Sequence, residues 1–152
     1  MMTIADLVAA GFKKEPVTWS TDAAGKLHLI GEIPKAAGVY LFVVGVSVRY
    51  VGKTDSALHS RMRSYVRGVQ RSLRQRAVHK GIKAEICKGE TVDLYTFTFT
   101  GAGQRFGNWN GLPIDRLVGL ESGLIEKLNP CWNPFNAAGR SKRTRAQSNS
   151  SH

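Results

Sequence analysis

One carboxylate, Glu121, stands among apolar residues in the last segment with helical spacing, close to Leu117, Leu120 and Leu124. A carboxylate on or beside an apolar stripe is costly to ionise unless a cation compensates its charge. That cation is either a neighbouring base such as Arg116, which would make Glu121 an ordinary residue at the rim of the core, or a divalent metal ion. A lone carboxylate completed by waters and a phosphate oxygen suits one Mg²⁺ or Mn²⁺ ion.

Upstream of Glu121 lies a second group of residues that could do chemistry, namely Tyr40, Tyr50, Lys53, Arg61 and Tyr65. Tyr40 and Tyr50 stand directly opposite each other if the turn between two predicted strands centres on Gly45. Taken singly, each tyrosine is a core aromatic and Arg61 is a solvated helix charge. A phenol is a poor base near neutral pH unless cations lower its pKa. Arg61 and Lys53 carry the charge for that effect.

The order and spacing of these residues resemble the GIY-YIG endonuclease family. Gly38-Val39-Tyr40 is followed, after nine residues, by Tyr50-Val51-Gly52, and Arg61 comes nine residues after Gly52. Tyr65 lies one helical turn beyond Arg61, and the segment LESGLIEKLNPCWN holds Glu121 and, twelve residues later, Asn133. The match covers about residues 36–136. Valine replaces isoleucine in both tripeptides, and residues 101–113 are a candidate insertion.

The resemblance implies a metal-dependent nuclease that hydrolyses DNA phosphodiester bonds and leaves 5′-phosphate and 3′-hydroxyl ends. In that interpretation Glu121 binds the metal ion, Tyr40 activates the attacking water, and Arg61 stabilises charge on the scissile phosphate. The resemblance gives assisting roles to the remaining candidates, which are Tyr50, Lys53, Tyr65 and Asn133. Asn133 would hold the site together by hydrogen bonds, and Gly52 would let the backbone turn tightly.

Basic residues dominate the charge of the chain, which has 22 Lys and Arg against 11 Asp and Glu, a formal net charge of +11. A domain this basic usually meets a polyanion. The segment 57–84 carries eight basic residues and no acidic one. It therefore lacks the internal ion pairs that stabilise an ordinary surface helix. Four arginines at helical spacing are predicted to form one ridge that contacts DNA phosphates: Arg63, Arg67, Arg71 and Arg74.

The periodicity of the chain predicts the elements that must position these residues. Segments 26–32, 38–45, 47–53 and 92–100 have the composition or alternation of strands. Segments 3–12, 56–80 and 114–128 have helical spacing, with a weak point at Gly68. Residues 101–113 are predicted to be a Gly/Asn-rich loop. The fold class predicted is α/β, a small and mainly antiparallel β-sheet flanked by α-helices.

Length and composition favour one globular domain over residues 1–136, followed by a basic, disordered tail at 137–152. No stretch approaches the roughly 20 apolar residues of a membrane span, and the N-terminus does not resemble a signal peptide. Cys87 and Cys131 are far apart and form no CxxC motif, so reduced thiols in a cytoplasmic protein are expected.

Three questions about function stay open at this stage. The nuclease could serve restriction, homing or structure-specific repair, and the absence of a separate DNA-binding domain favours restriction or repair. It could act as a homodimer on double-stranded or branched DNA. The alternatives are a non-catalytic nucleic-acid-binding protein on an inactivated nuclease scaffold, or an RNA-directed nuclease. The last would use Tyr95, Phe97 and Phe99, which otherwise form the core face of a strand.

Overall fold

The computed structural model describes residues 1–67 and 72–133, except for the side chains of Leu73, Arg74 and Ala102. The tail predicted at 137–152 lies outside the described residues. The elements in chain order are α1 (Ile4–Ala9), β1 (Lys13–Lys14), β2 (Thr18–Thr21), β3 (Leu27–Ile30), β4 (Gly38–Val44), β5 (Ser47–Thr54), α2 (Leu58–Arg67), α3 (Leu73–Cys87), β6 (Val92–Thr98), α4 (Ala102–Arg105), β7 (Phe106–Trp109), β8 (Leu112–Asp115) and α5 (Arg116–Leu128).

A four-stranded antiparallel sheet with the order β1-β6-β4-β5 forms the centre of the fold. Every residue of β4 is buried, so both faces of the sheet are covered. One face packs with α2, α3 and the β2–β3 hairpin around Tyr40, Phe42 and Met62. The other face packs with α1 and α5 around a second cluster of buried residues, which includes Val39 and Leu41. The predicted α/β fold class is therefore confirmed.

Three aromatic residues in and directly after β6 belong to this core. Tyr95, Phe97 and Phe99 are half-buried and pack against the cluster on the α1 and α5 side of the sheet. The rings of Phe97 and Phe99 lie 5.2 Å apart, and Phe97 also contacts Phe12. Their alternation along the strand therefore serves packing.

The register of the β4–β5 hairpin differs from the expectation for the two tyrosines. Tyr40 pairs with Gly52, and Tyr50 pairs with Phe42, so the tyrosines are not directly opposed. The turn contains two residues, Gly45 and Val46, and an irregularity next to Arg49 shifts the register once more. Both tyrosines still project from the same face, because the total shift is an even number of residues. Their ring centroids lie 6.0 Å apart.

The segment predicted to be helical at 56–80, with a weak point at Gly68, is not one helix. It is divided into α2, which ends at Arg67, and α3, which begins after Ser72. Ser72 has an extended backbone, and its hydroxyl accepts a hydrogen bond from the amide of Gln75, as an N-cap does. The prediction that the four arginines form one ridge on a single helix is therefore wrong. Arg63 and Arg67 belong to α2, Arg74 belongs to α3, and Arg71 lies outside the described residues.

Two further departures concern short strands. The predicted strand at 26–32 exists as β3, but it pairs with β2 in a separate hairpin that the alternation did not indicate. Residues 101–113 are not a loop: α4 is followed by a hairpin of β7 and β8 that turns at Asn110 and Gly111. Both turn residues have positive φ, which is typical of a two-residue hairpin turn. The last helix begins at Arg116, two residues later than predicted. No helix in the described part of the chain is long and apolar enough to span a membrane.

Candidate active site

Six of the seven predicted catalytic residues line one small cavity, of about 170 Å³, next to the sheet. They come from β4, β5, α2 and α5, and the cavity also contains residues from the start of α3. The complete lining is Tyr40, Tyr50, Lys53, Arg61, Tyr65, Ser72, Gln75 and Glu121. The tertiary structure thus brings together side chains that are spread over more than half of the chain.

The three tyrosines form a packed cluster at the base of this cavity. The hydroxyl groups of Tyr40 and Tyr65 are hydrogen-bonded at 2.5 Å, and each ring is almost fully buried. Gly52 makes the cluster possible, since a β-carbon at this position would lie 2.5 Å from the Tyr40 hydroxyl and 2.7 Å from the Tyr50 ring. Gly52 lies within β5, so its role is to leave space for two rings. The expectation of a tight turn at Gly52 is wrong.

The hydroxyls of Tyr40 and Tyr65 hold their protons more firmly than an ordinary tyrosine does. Burial raises the pKa of Tyr40 well above 10, and the neighbouring Tyr65 and Tyr50 raise it further. Burial likewise raises the pKa of Tyr65 well above 10. The positive charge of Arg61 acts in the opposite direction on both pKa values, but it is the weaker influence. The expectation that nearby cations lower the pKa of the phenol below its ordinary value is therefore wrong for these two residues.

Two basic side chains stand at the wall of the cavity. Arg61 lies in the first turn of α2 and is half-buried. Lys53 projects from β5, with its ammonium nitrogen 3.5 Å from a carboxylate oxygen of Asp55. Asp55 also accepts a hydrogen bond at 2.9 Å from Arg105, whose guanidinium reaches Asp115 as well. Lys53 is thereby linked to the root of the β7–β8 hairpin and to the N-cap of α5.

Glu121 also lines the cavity and is 9% exposed. It lies on the buried face of α5 with Leu117, Leu124 and Ile125. Asp115 caps that helix by accepting a hydrogen bond from the Leu117 amide, which fixes where the helix begins. Arg116, the base considered as a partner for Glu121, donates hydrogen bonds to the carbonyl oxygens of Gln104 and Phe106.

The donor set of the cavity fits one hard divalent cation. Glu121 is the single carboxylate among the lining residues. The other lining oxygens are those of phenol, hydroxyl and amide groups, which suit Mg²⁺ and the waters that it keeps. Within the described residues there is no group of three or more His, Cys, Asp or Glu side chains that could enclose a metal ion. An ion at Glu121 would therefore keep coordination positions for waters and a substrate oxygen.

Asn133, the seventh predicted residue, lies outside the cavity and is 1% exposed. Its amide accepts a hydrogen bond from the Val51 amide at 3.0 Å and donates one to the Val51 carbonyl at 2.9 Å. Asn133 therefore pairs with β5 as a further strand would, between Tyr50 and Gly52. Its neighbour Trp132 packs against Gly81 of α3 and donates its backbone amide to the Arg49 carbonyl.

Sequence reasoning missed Ser72, Gln75 and His79. Ser72 and Gln75 line the cavity, and a nitrogen of the half-buried His79 ring lies 2.6 Å from the Tyr65 carbonyl oxygen. A signal for the first two exists, because Ser followed three residues later by Gln is the spacing of a helix N-cap. No local pattern indicates the His79 contact, since its partner lies 14 residues away.

Two of the four arginines predicted to contact DNA have described side chains. Arg63 and Arg67 are both exposed on α2, the helix that carries Arg61. On α3, Arg76 and Lys80 are exposed as well. Positive charge therefore lies on both helices that border the cavity.

Comparison with solved structures shows the same fold in a known protein. A point mutant of bacteriophage T4 EndoII is similar over 86% of this chain and 98% of its own, with a TM-score of 0.65 and 18% sequence identity. A restriction endonuclease, HPY188I, in complex with product DNA matches over 84% of this chain and 82% of its own, with a TM-score of 0.48 and 15% identity. No protein-family profile matches the chain. No curated protein matches it significantly.

Proposed function

We propose that this protein is a metal-dependent endonuclease of the GIY-YIG type that hydrolyses DNA phosphodiester bonds. The observation that carries the proposal is the cavity itself, in which Tyr40, Tyr50, Lys53, Arg61, Tyr65 and Glu121 meet. Three phenols, two cations and one carboxylate in so small a space suit a phosphate group and an attacking water. The fold is shared with a protein named EndoII, which agrees with nuclease chemistry.

The basic side chains of the cavity would hold the scissile phosphate. Arg61 would place its planar guanidinium against two phosphate oxygens, and Lys53 would add a point charge. Both charges would stabilise the phosphate more strongly in the transition state, because negative charge builds there on the oxygens bonded to phosphorus. The link between Lys53 and Asp55 would keep the ammonium group at the cavity wall before the substrate binds.

The tyrosine cluster would orient the attacking water and receive its proton. Water attacks phosphorus in line with the 3′ oxygen, and its proton passes to the phenolate oxygen of deprotonated Tyr40. The bond from phosphorus to that 3′ oxygen breaks, and the leaving oxyanion takes a proton from solvent water. The products then carry 5′-phosphate and 3′-hydroxyl ends. Because burial raises the pKa of Tyr40, this step needs more positive charge than Arg61 alone provides. Tyr65, hydrogen-bonded to Tyr40, would fix the position of the accepting oxygen.

Glu121 is the residue that would hold a Mg²⁺ or Mn²⁺ ion. Such an ion would supply Lewis-acid stabilisation of phosphate oxygens and further positive charge next to the phenols. Glu121 would contribute one ligand from a rigid, buried helix face, so the position of the ion would be set by the packing of α5 on the sheet.

Duplex or branched DNA is the proposed partner, in a restriction-like or repair-like role. The net charge of +11 and the exposed arginines of α2 suit the phosphate backbone, which fixes position without selecting bases. The hairpin of β7 and β8 and the basic helices would bring the backbone to the cavity from two sides.

A cleavage assay tests the proposal and its alternatives together. Purified protein is incubated with plasmid, branched DNA, single-stranded DNA and RNA, in Mg²⁺, in Mn²⁺ and in EDTA. We expect cleavage of DNA only with a divalent ion, and 5′-phosphate ends on the products. Binding without any cleavage would support the non-catalytic alternative, and preferential cleavage of RNA would support the RNA-directed one.

The variant Glu121→Gln supplies the decisive control for that assay. It keeps the size of the side chain and removes its charge, so the cleavage rate should fall by a factor on the order of a thousand while DNA affinity is retained. Glu126→Gln, an exposed position on the same helix, should cleave as the unmodified protein does. Undiminished Mg²⁺-dependent cleavage by the Glu121→Gln variant would remove Glu121 from the mechanism.

A further inference from the structure

The hairpin of β7 and β8 presents an apolar face that is exposed at the tip, whereas at its root the guanidinium of Arg116 lies against Gly107. Gly107 pairs with Ile114, and Trp109 pairs with Leu112, so these four residues share one face of the ribbon. Trp109 is 63% exposed, Leu112 62% and Ile114 40%. A two-stranded ribbon is at best marginally stable in water, and large apolar side chains at its tip gain nothing from remaining exposed. This face is therefore suited to contact another molecule.

The root of the ribbon is tied directly to the candidate active site. Asp115, the last residue of β8, is the N-cap of α5, the helix that carries Glu121. Arg105, just before β7, bridges Asp115 to Asp55, which in turn contacts Lys53 of the cavity. Six residues of helix separate Asp115 from Glu121, about 9 Å, and four residues of strand extend about 14 Å. The tip of the ribbon thus lies within roughly seven base pairs of the carboxylate along a duplex, at about 3.4 Å each.

Charge and area both favour DNA over a second copy of the chain. Residues 106–114 contain no charged side chain, and the root carries two guanidinium groups, Arg105 and Arg116. The acidic residues there, Asp115 and Asp55, are both paired with Arg105, and Lys53 adds a further positive charge beside Asp55. The three side chains expose 63%, 62% and 40% of their areas, and none is larger than a tryptophan of about 250 Å², so together they offer less than about 450 Å². Each partner in a stable protein dimer contributes about 800 Å².

We propose that the β7–β8 ribbon is a wedge that inserts Trp109 and Leu112 against a base step of duplex DNA. This inference rests on the proposed nuclease function, which it deepens by naming the substrate as a duplex that is locally unstacked beside the cut. Apolar wedges of one or two side chains unstack a base step and kink the duplex, while basic residues hold the adjacent phosphates. Trp109 and Leu112 flank the Asn110-Gly111 turn, which places them at the tip as such a wedge requires.

The test uses the full chain and a set of duplexes that each contain one 2-aminopurine base, whose fluorescence rises when stacking is lost. The base is moved through every position on either side of a cleavage site mapped with Mg²⁺, and fluorescence is measured in Ca²⁺, where binding proceeds without turnover. If the unmodified protein cleaves no duplex, the 2-aminopurine base is placed in turn at every position along the whole duplex. We expect the rise at one or two adjacent positions within about seven base pairs of the cut.

The variant Trp109→Ser/Leu112→Ser should lose this rise and bind duplex about tenfold more weakly. Trp109→Phe keeps an aromatic ring and should retain most of the rise. The matched control Ile30→Ser/Val46→Ser removes two other exposed apolar side chains, 67% and 90% exposed, and should behave as the unmodified protein does. Thermal unfolding of each variant, followed by circular dichroism, checks that the fold survives.

Several outcomes separate this proposal from the proposed function. A duplex that is cleaved but shows no rise at any position overturns the wedge and leaves the nuclease intact. A rise that persists in the double serine variant also overturns it. A rise without cleavage supports the wedge and overturns the nuclease. If the unmodified protein sediments as a dimer and the double variant as a monomer, with the same DNA signal, the face binds a second copy and the wedge is overturned.

Discussion

The hydroxyl of Tyr40 is the atom on which the proposed proton transfer depends. It is fully buried, hydrogen-bonded to Tyr65, and has a pKa raised well above 10 by burial. If its oxygen receives the proton of water, the reactive form is the phenolate, whose fraction grows about tenfold per pH unit below the pKa. The single-turnover rate of cleavage should therefore rise between about pH 7 and pH 9.

Tyr40→Phe tests that assignment, because it removes only the hydroxyl from a packed ring. We expect loss of most activity, by roughly a hundredfold or more, since general-base catalysis contributes about that much. Tyr95→Phe, at a half-buried tyrosine outside the cavity, is the control and should show the pH profile of the unmodified protein. A cleavage rate that does not change across this pH range would show that Tyr40 only donates a hydrogen bond.

Arg61 and Arg63 lie on the same helix and should separate catalysis from binding. Arg61 is half-buried in the cavity, whereas Arg63 is exposed. Arg61→Ala should lower kcat about a hundredfold, by analogy with loss of one transition-state donor, and should change DNA affinity little. Arg63→Ala should weaken binding with kcat preserved. If both variants change only the affinity, Arg61 is a binding residue and the transition-state role is wrong.

At the scale of the element, β5 depends on the absence of a side chain at Gly52. A β-carbon there would meet Tyr40 and Tyr50 at 2.5 to 2.7 Å, and buried rings held between a sheet and two helices have little room to move. Gly52→Ala should cost about 1–3 kcal/mol in the free energy of unfolding, as overpacking of a core does. It should also displace the tyrosine cluster and lower cleavage.

Gly119 offers a matched control on an element that borders the same site. It lies on α5 with open space around the position of a β-carbon, so Gly119→Ala should be neutral or stabilise the protein by up to about 1 kcal/mol. Urea unfolding measures both variants. A Gly52→Ala protein as stable as the Gly119→Ala protein would mean that the rings can separate at little cost.

At the scale of the whole molecule, the excess of positive charge predicts a steep salt dependence of DNA affinity. Each phosphate contact releases condensed counterions, and each lost contact lowers the log–log slope by about 0.9. Arg63→Ala/Arg67→Ala should therefore reduce its magnitude by about two. Fluorescence anisotropy in Ca²⁺ measures the slope. Lys26→Ala/Lys127→Ala, at two exposed lysines outside the segment 57–84, should change it less. An unchanged slope in the arginine variant would mean that DNA lies elsewhere.

The fold class, the main strands and the last helix follow from the sequence because their signals are local. The continuous apolar run of β4 and the alternation of β6 each depend on residues that are close in the chain. The apolar stripe of α5 likewise places Glu121 on a buried face. The family resemblance carried by the two tripeptides, Arg61 and Glu121 implied six side chains that the fold brings into one cavity.

What only the tertiary structure decided depends on partners that are distant in the chain. The extra residue at Arg49 changes the pairing of Tyr40 and Tyr50, and a carbonyl there accepts the amide of Trp132, more than 80 residues later. The pKa of Tyr40 rises because β4, β5 and α2 bury it. Burial depends on all the side chains that surround a residue, and the spacing of residues along the sequence does not reveal them. The capped start of α3 is local, but Ser72 and Gln75 reach the cavity only because α3 packs beside α2 and the central sheet.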